Sequence, residues 1–258
     1  MKRGFIFDLD GTVYLGERSI EGAAEAINTI RKRGDKVVFL TNKSIARRED
    51  YVEKLNKMGI ETTLEQVINS NYITAKYLKE KMAQNEKALI IGEDPLLDEL
   101  ADAGIKMTNN PDQAAYVVLG WDRKFTYEKL NLAFQAWVNN AKVIATNPDR
   151  TCPLDRGEIP DCGAIIGAFE GATGRRIGTI TGKPSRLMAD YVVKHVLKLS
   201  PSKCYMVGDR LETDIRMGNE NGLHTVLVLT GVTTKERLYK SNYQPSFTLE
   251  SVKEIVHV

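Results

Sequence analysis

Hydrophobic and polar positions along the chain follow two rhythms. Short, nearly continuous apolar runs occur at residues 4–7 (GFIF), 36–40 (KVVFL), 204–207 (CYMV) and 225–229 (TVLVL). Runs of that length and β-branched make-up predict strands buried on both faces. Between the first two, Ala23, Ala26, Ile27 and Ile30 fall at helical spacing, and Gly34 stands where a C-terminal cap belongs. Late in the chain Pro184 marks a helix start, with Met188, Val192, Val196 and Leu199 on one face, and another helix is predicted near 212–221. The middle alternates too, with strands over 87–92, 116–120 and 142–146 and helices near 95–103 and 126–139.

Such strand–helix–strand units predict an α/β protein with a doubly wound parallel sheet. The middle holds enough elements for a second, smaller α/β domain. The expected division is 1–70 for the first part of the core domain, 71–180 for an inserted domain and 181–258 for the second part of the core; no linker-like tract marks either boundary. Gly163, Gly167 and Gly171 are spaced four apart, but Glu170, Arg175 and Arg176 spoil a membrane reading. A helix packed closely on a sheet is expected there.

Composition narrows the function. With 36 basic and 34 acidic residues the formal charge is +2, which argues against a dedicated nucleic-acid binder but allows a local basic funnel for small anions. No 18-residue apolar run is present to cross a membrane, and a strand from Gly4 leaves no room for a signal peptide, so a cytoplasmic protein without membrane partners is expected. Cys152, Cys162 and Cys204 form no C-x-x-C pair, and His195, His224 and His257 are scattered; ordinary reduced thiols are expected, not a zinc site.

The candidate chemistry begins at D-L-D-G-T, where Asp8 and Asp10 end the first strand. Alone it reads equally well as a turn. A calcium loop fails, because Val13 replaces the required glycine and Ser19 the closing glutamate. Three further polar clusters flank predicted elements: Thr41 and Asn42 after KVVFL, Lys183 before a helix, and Asp209 after CYMV with Asp214 following. In doubly wound sheets the carboxyl ends of strands line the ligand crevice, so these clusters can converge. Two carboxylates about 4 Å apart repel by roughly 4 kcal/mol at an effective dielectric of 20. Asp8, Asp10 and Asp209 together therefore need either one carboxyl protonated or a cation among them, and Mg²⁺ suits an oxygen donor set that leaves positions for a phosphate oxygen. Lys183 and Thr41 then supply positive charge and a hydroxyl to the same anion. A P-loop reading of IGTITGKPS fails: Ile177 stands where glycine is needed and Pro184 where Ser or Thr is needed.

The ordered set D-x-D-G-T, T-N, a lone lysine before a helix and G-D-x-x-x-x-D resembles the haloacid dehalogenase-like superfamily. IEGAAEAI, ATNPD, GKP and GDRLETDI resemble its NagD-like, p-nitrophenylphosphatase branch, in which an α/β cap is inserted between the second and third motifs. The resemblance implies Mg²⁺-dependent hydrolysis of small phosphorylated metabolites, with Asp8 as nucleophile and Asp10 as general acid and then base. It also implies Asp8, Asp209 and the Asp10 backbone carbonyl as metal ligands, and Asp214 and Thr12 behind them. Thr41, Asn42 and Lys183 would hold the phosphoryl group. Asp10 separates the chain from dehalogenases and transport ATPases, and the 28 residues between Thr12 and Thr41 are too few for a phosphomutase's helical cap. In the family the ATNPD loop faces the crevice; Asn147 and Asp149 are its candidates for substrate choice, leaning toward sugar or polyol phosphates. GVTTKERL (231–238) is similar to the family's exposed loop after the last core strand and carries no expected role. A noncatalytic phospholigand sensor or scaffold and a phosphoprotein phosphatase are the alternatives. A homodimer is compatible with all of these.

Overall fold

The structure, a computed structural model, describes residues 2–153 and 157–258. Six parallel strands form one sheet in the spatial order Phe247–Leu249, His224–Val228, Cys204–Gly208, Gly4–Asp8, Lys36–Thr41, Val67–Asn69. Side chains alternate across it. Phe5, Phe7, Val37 and Phe39 join Ile27 and Ile30 of helix Ala23–Lys32 in one core layer. Ile6, Val38, Leu40 and Met206 join Met188, Val192 and Val193 in the other. Both faces being covered explains why these strands read as continuous apolar runs. The earliest strand, Gly4–Asp8, lies inside the sheet with later strands on each side, which makes its carboxyl end a topological switch point.

Four more parallel strands form a second sheet in the order Thr179–Ile180, Lys142–Ala145, Ala114–Leu119, Lys87–Ile91. Helices Tyr127–Val138 and Cys162–Thr173 contribute Ala133, Ala136, Ile165 and Phe169 to one core layer of this sheet, and helix Asp94–Asp102 contributes Leu96 and Leu100 to the other. The doubly wound core with an inserted smaller α/β unit is thus as expected. Helix Ser70–Lys81 serves both sheets: Ile73 packs in the larger one's core, Ala75 and Leu78 in the smaller one's.

Several expectations need correction. Pro184 lies outside its helix, because the Ser185 side chain accepts from Leu187 N and takes the cap position before Arg186–Asp190. The helix continues through Tyr191–Leu197 with wider turns, which shifts the fully buried positions from Val196 and Leu199 to Val193 and Leu197. The short edge strands Val67–Asn69 and Phe247–Leu249 and helix Arg48–Lys57, which buries only Tyr51 and Leu55, had too little apolar pattern to be read. The helix expected over the glycine series does pack on the second sheet, through Ile165 and Phe169, but the glycines do not make that contact along its length. A Cβ on Gly163 would meet backbone oxygens of Asp149 and Pro148 at 2.7 and 2.8 Å, whereas one on Gly167 or Gly171 meets nothing within 4 Å.

That difference predicts opposite effects on stability. Gly163→Ala should destabilise by about 1–3 kcal/mol, because backbone must shift to admit the methyl. Gly167→Ala should stabilise by about 0.5–1 kcal/mol through helix propensity. Urea midpoints of the two variants measure both.

Candidate active site

The parallel register builds the centre of the site. Asp8 ends strand Gly4–Asp8, and Asp209 follows its neighbour Cys204–Gly208, so both carboxylates reach the same edge of the sheet. Thr41 ends the strand on the other side. Asp214 comes from the helical turn Leu211–Ile215 and fits only because Gly208 has no Cβ, which would fall within its carboxylate. Carboxylate oxygens of Asp8, Asp209 and Asp214 all lie within 4.8 Å of one another, and all three residues are buried. Buried Lys183 answers them: its Nζ donates to Asp8 Oδ1 and, at 2.7 Å, to Asp214 Oδ1.

Each charge feels this crowding. Burial pushes the Asp8 carboxyl well above the usual range; Lys183 pulls it down, while Asp214 and Asp209 push it further up. Asp209 is pushed up to about 7, by burial first and by the Asp214 charge second. Burial works against the Lys183 ammonium, but Asp214 and Asp8 hold it above the ordinary lysine range.

The open hydrogen-bonding positions show what is missing. Both Asp214 oxygens are taken, Oδ1 by Lys183 and Oδ2 by Arg210 N at 3.0 Å. Asp209 Oδ2 accepts from Val232 N at 2.7 Å, but Asp209 Oδ1 is buried without a partner among the described residues. A buried carboxylate oxygen left unpaired is costly. Three carboxylates and one ammonium also leave a formal charge of −2, which one divalent cation balances. An all-oxygen donor set of this kind fits Mg²⁺.

Around this centre the structure gathers Asp8, Asp10, Thr41, Asn42, Asp149 and Lys183 on one small cavity of about 30 Å³. Asp10 pairs with Lys43 Nζ at 2.9 Å. Burial works against the Lys43 ammonium, and Asp10 and Cys152 together more than offset it. Thr41 Oγ1 accepts from Lys43 N at 3.2 Å, leaving its own proton to point elsewhere. Thr12 is buried, and its hydroxyl has no partner among the described residues. The Asn42 amide is fully engaged by protein. Its Oδ1 accepts from Lys183 N at 2.7 Å, and its Nδ2 donates to Lys183 O at 3.0 Å and Asp149 Oδ2 at 3.1 Å. Asn42 therefore grips the Lys183 backbone as a neighbouring strand would and ties it to the smaller sheet's loop.

Asn147 is not among the residues lining the cavity. It is fully buried, and its Nδ2 donates to Asp149 Oδ2 at 3.3 Å and Asp161 Oδ1 at 3.1 Å. Sequence reasoning missed several residues that do line it: Lys43, Cys152, Asp161, Arg210 and Thr213. Lys43 and Arg210 directly follow recognised motifs, so adjacency was an available signal. Asp161 gave none, because the strand pair Thr151–Pro153 and Glu158–Pro160 that delivers it is too short to read. The 231–238 loop was also misjudged. Thr233 is buried, Val232 N holds Asp209, and Thr230 Oγ1 donates to Gly11 O at 2.6 Å. A Cβ on Gly231 would overlap the Asp209 carboxylate.

Comparison with known proteins agrees with this geometry. Residues 5–106 match the family model of haloacid dehalogenase-like hydrolases, and residues 180–255 match a second, HAD-hydrolase-like model. The chain is 39% identical over 254 residues to the sugar-phosphatase AraL of Bacillus subtilis (strain 168), covering 98% of this chain and 91% of that one. The p-nitrophenyl phosphatase from Archaeoglobus fulgidus superposes with a TM-score of 0.92 at 34% identity, over 99% of this chain and 98% of that one. NagD from E. coli K-12 superposes with a TM-score of 0.87 at 30% identity, over 98% of each chain.

The buried Asp161 carboxyl predicts a pH-dependent stability. Burial first, and the Asp149 charge second, push it from 3.8 up to about 6. A carboxyl whose folded value lies above its unfolded one favours the fold at low pH and loses that advantage as the pH rises through the folded value. Asp161→Asn keeps a helix-capping acceptor. It should exceed wild-type stability by up to about 3 kcal/mol at pH 8, with the gap closing by pH 4. Urea unfolding at both pH values measures it.

Proposed function

The chain belongs to the haloacid dehalogenase-like hydrolase family, in its NagD-like, p-nitrophenylphosphatase branch, and from that premise we propose that it hydrolyses small phosphate monoesters through a phosphoryl group carried on Asp8. The observation that carries this reading is the buried Asp8–Asp209–Asp214 cluster around Lys183, with Asp209 Oδ1 unpaired. Such crowding is too costly for a site that only binds.

Asp8 is the nucleophile. Its Oδ2 attacks phosphorus, the P–O bond to the leaving alcohol breaks, and an aspartyl-phosphate forms; water then attacks phosphorus and releases inorganic phosphate. Lys183, anchored on Asp8 Oδ1, orients the attacking carboxylate and meets the charge on the phosphoryl oxygens, joined by the Thr41 hydroxyl. Asp10 gives its proton to the leaving oxygen in the first half-reaction and takes one from water in the second. Lys43, ion-paired to Asp10, holds its carboxyl toward the cavity. Asn42 acts by holding the Lys183 backbone. Asp8, Asp209 and the Asp10 backbone carbonyl would hold Mg²⁺, with Asp214 fixed behind by Lys183 and Arg210 N. When bound, the ion supplies the positive charge that lets the anionic substrate approach three carboxylates.

Residues 71–180 serve as the cap, whose loop brings Asp149 to the cavity. The small cavity favours compact leaving groups over protein phosphates. Sugar-like phosphates are the favoured class, in keeping with the sugar-phosphatase relative, and p-nitrophenyl phosphate serves as a generic substrate.

Asp8→Asn should abolish turnover of p-nitrophenyl phosphate while leaving the unfolding midpoint near that of the wild type. Asp10→Asn should reduce turnover by about 10²-fold or more with little change in Mg²⁺ affinity measured by calorimetry. EDTA should silence the wild type reversibly. Undiminished activity in Asp8→Asn removes the nucleophile assignment.

A further inference from the structure

Two carboxylates outside the charge-balanced centre also face the substrate cavity. Asp149 and Asp161 both line it, yet neither takes part in the chemistry above. Buried Asn147 aims them, donating one amide proton to Asp149 Oδ2 and the other to Asp161 Oδ1. Asn42 adds a second donor to Asp149 Oδ2, and Cys162 N a second to Asp161 Oδ1. The remaining oxygens, Asp149 Oδ1 and Asp161 Oδ2, accept from no described residue.

We propose that Asp149 and Asp161 determine specificity: they accept hydrogen bonds from hydroxyls of the leaving group and repel leaving groups that carry a second negative charge. The substrate class is then a polyol or sugar monophosphate, with carboxylated and bisphosphorylated analogues disfavoured. This inference rests on the phosphatase reading of the same site.

The nearby cations do not reverse the sign. Lys43 is committed to Asp10 at 2.9 Å. Arg210 Nη2 donates to Thr151 O at 3.0 Å. Burial works against the Arg210 charge, and Asp149 is the strongest of the carboxylates that hold it in place. One guanidinium against two carboxylates leaves this end of the cavity net negative. A hydroxyl donor satisfies the open oxygens, whereas a carboxylate there faces like charge in a small cavity. Asp161 is also raised to about 6 by burial and by Asp149, as expected of a buried carboxyl beside another negative charge.

sn-Glycerol 3-phosphate and 3-phosphoglycerate separate the two effects, because they differ only in a terminal hydroxymethyl against a carboxylate. The wild type with Mg²⁺ should favour glycerol 3-phosphate by about 100-fold in kcat/KM. Asp161→Asn and Asp149→Asn should each cut that ratio by about tenfold, through KM more than kcat. Because the ratio is the readout, a loss common to both substrates does not count, and if one variant fails to fold the other carries the test. A wild-type ratio near one, a preference for 3-phosphoglycerate, or a ratio unchanged in the folded variants overturns the proposal while p-nitrophenyl phosphate turnover keeps the phosphatase reading intact. Absence of turnover on all three substrates overturns both.

Discussion

Three carboxylates packed against one ammonium are the constraint around which the molecule is arranged. Asp8, Asp209 and Asp214 sit within reach of a single point, and Lys183 neutralises only part of their charge. Much of the surrounding backbone exists to make that crowding tolerable. Gly208 and Gly231 lack the Cβ atoms that would collide with Asp214 and Asp209. Arg210 N and Val232 N donate to the two acids, and the Asn42 amide fixes the peptide that carries Lys183. What the protein leaves unbalanced has the charge and donor type of one hard divalent cation. The same imbalance serves phosphoryl transfer, which depends on positioning and on charge placed in advance rather than on elaborate covalent machinery.

The second sheet meets this centre through the loop that carries Asp149 and Thr151 and through strand Thr179–Ile180, which runs into Lys183. Asp149 reaches Asn42, and Thr151 O receives Arg210, so a residue that grips the Lys183 backbone and one that follows Asp209 both report on the loop's position. Gly163 lets helix Cys162–Thr173 press against the loop's backbone, and Asp161 caps that helix while facing the cavity. The residues proposed for substrate choice and those proposed for catalysis therefore share hydrogen bonds. Asp161 is held at a cost to stability at neutral pH, which is a common feature of functional sites.

Much of this was legible in the sequence, for physical reasons. Strands such as Gly4–Asp8 and Lys36–Thr41 are buried on both faces, so their apolar runs are unambiguous, and strand ends announce the polar residues that follow. Asp8, Asp10, Thr41 and Asn42 stand out because each interrupts or adjoins such a run, Lys183 because it precedes a helix, and the structure places all five on one cavity. The direction of a side chain left no such mark. Asn42 lines the cavity but spends its amide on protein partners, and Asn147 supports two acids from behind. Lys43, Asp161 and Arg210 lie in loops without periodicity; Lys43 and Arg210 could have been found from the strand ends they follow, whereas Asp161 reaches the cavity only through the packing of the second sheet. Edge strands Val67–Asn69 and Phe247–Leu249 are three residues each, too short for a pattern to register.

The most direct test of the account is to look for the phosphoryl group on Asp8 itself. Protein mixed with p-nitrophenyl phosphate and Mg²⁺ would be quenched in acid within milliseconds and its peptides weighed, using wild type and Asp10→Asn, in which the second half-reaction is slowed. The account predicts one phosphoryl group on the peptide carrying Asp8, more abundant in Asp10→Asn and absent with EDTA. Turnover that proceeds at full rate with no phosphoryl group ever found on that peptide would contradict it, and would mean that water attacks the substrate directly.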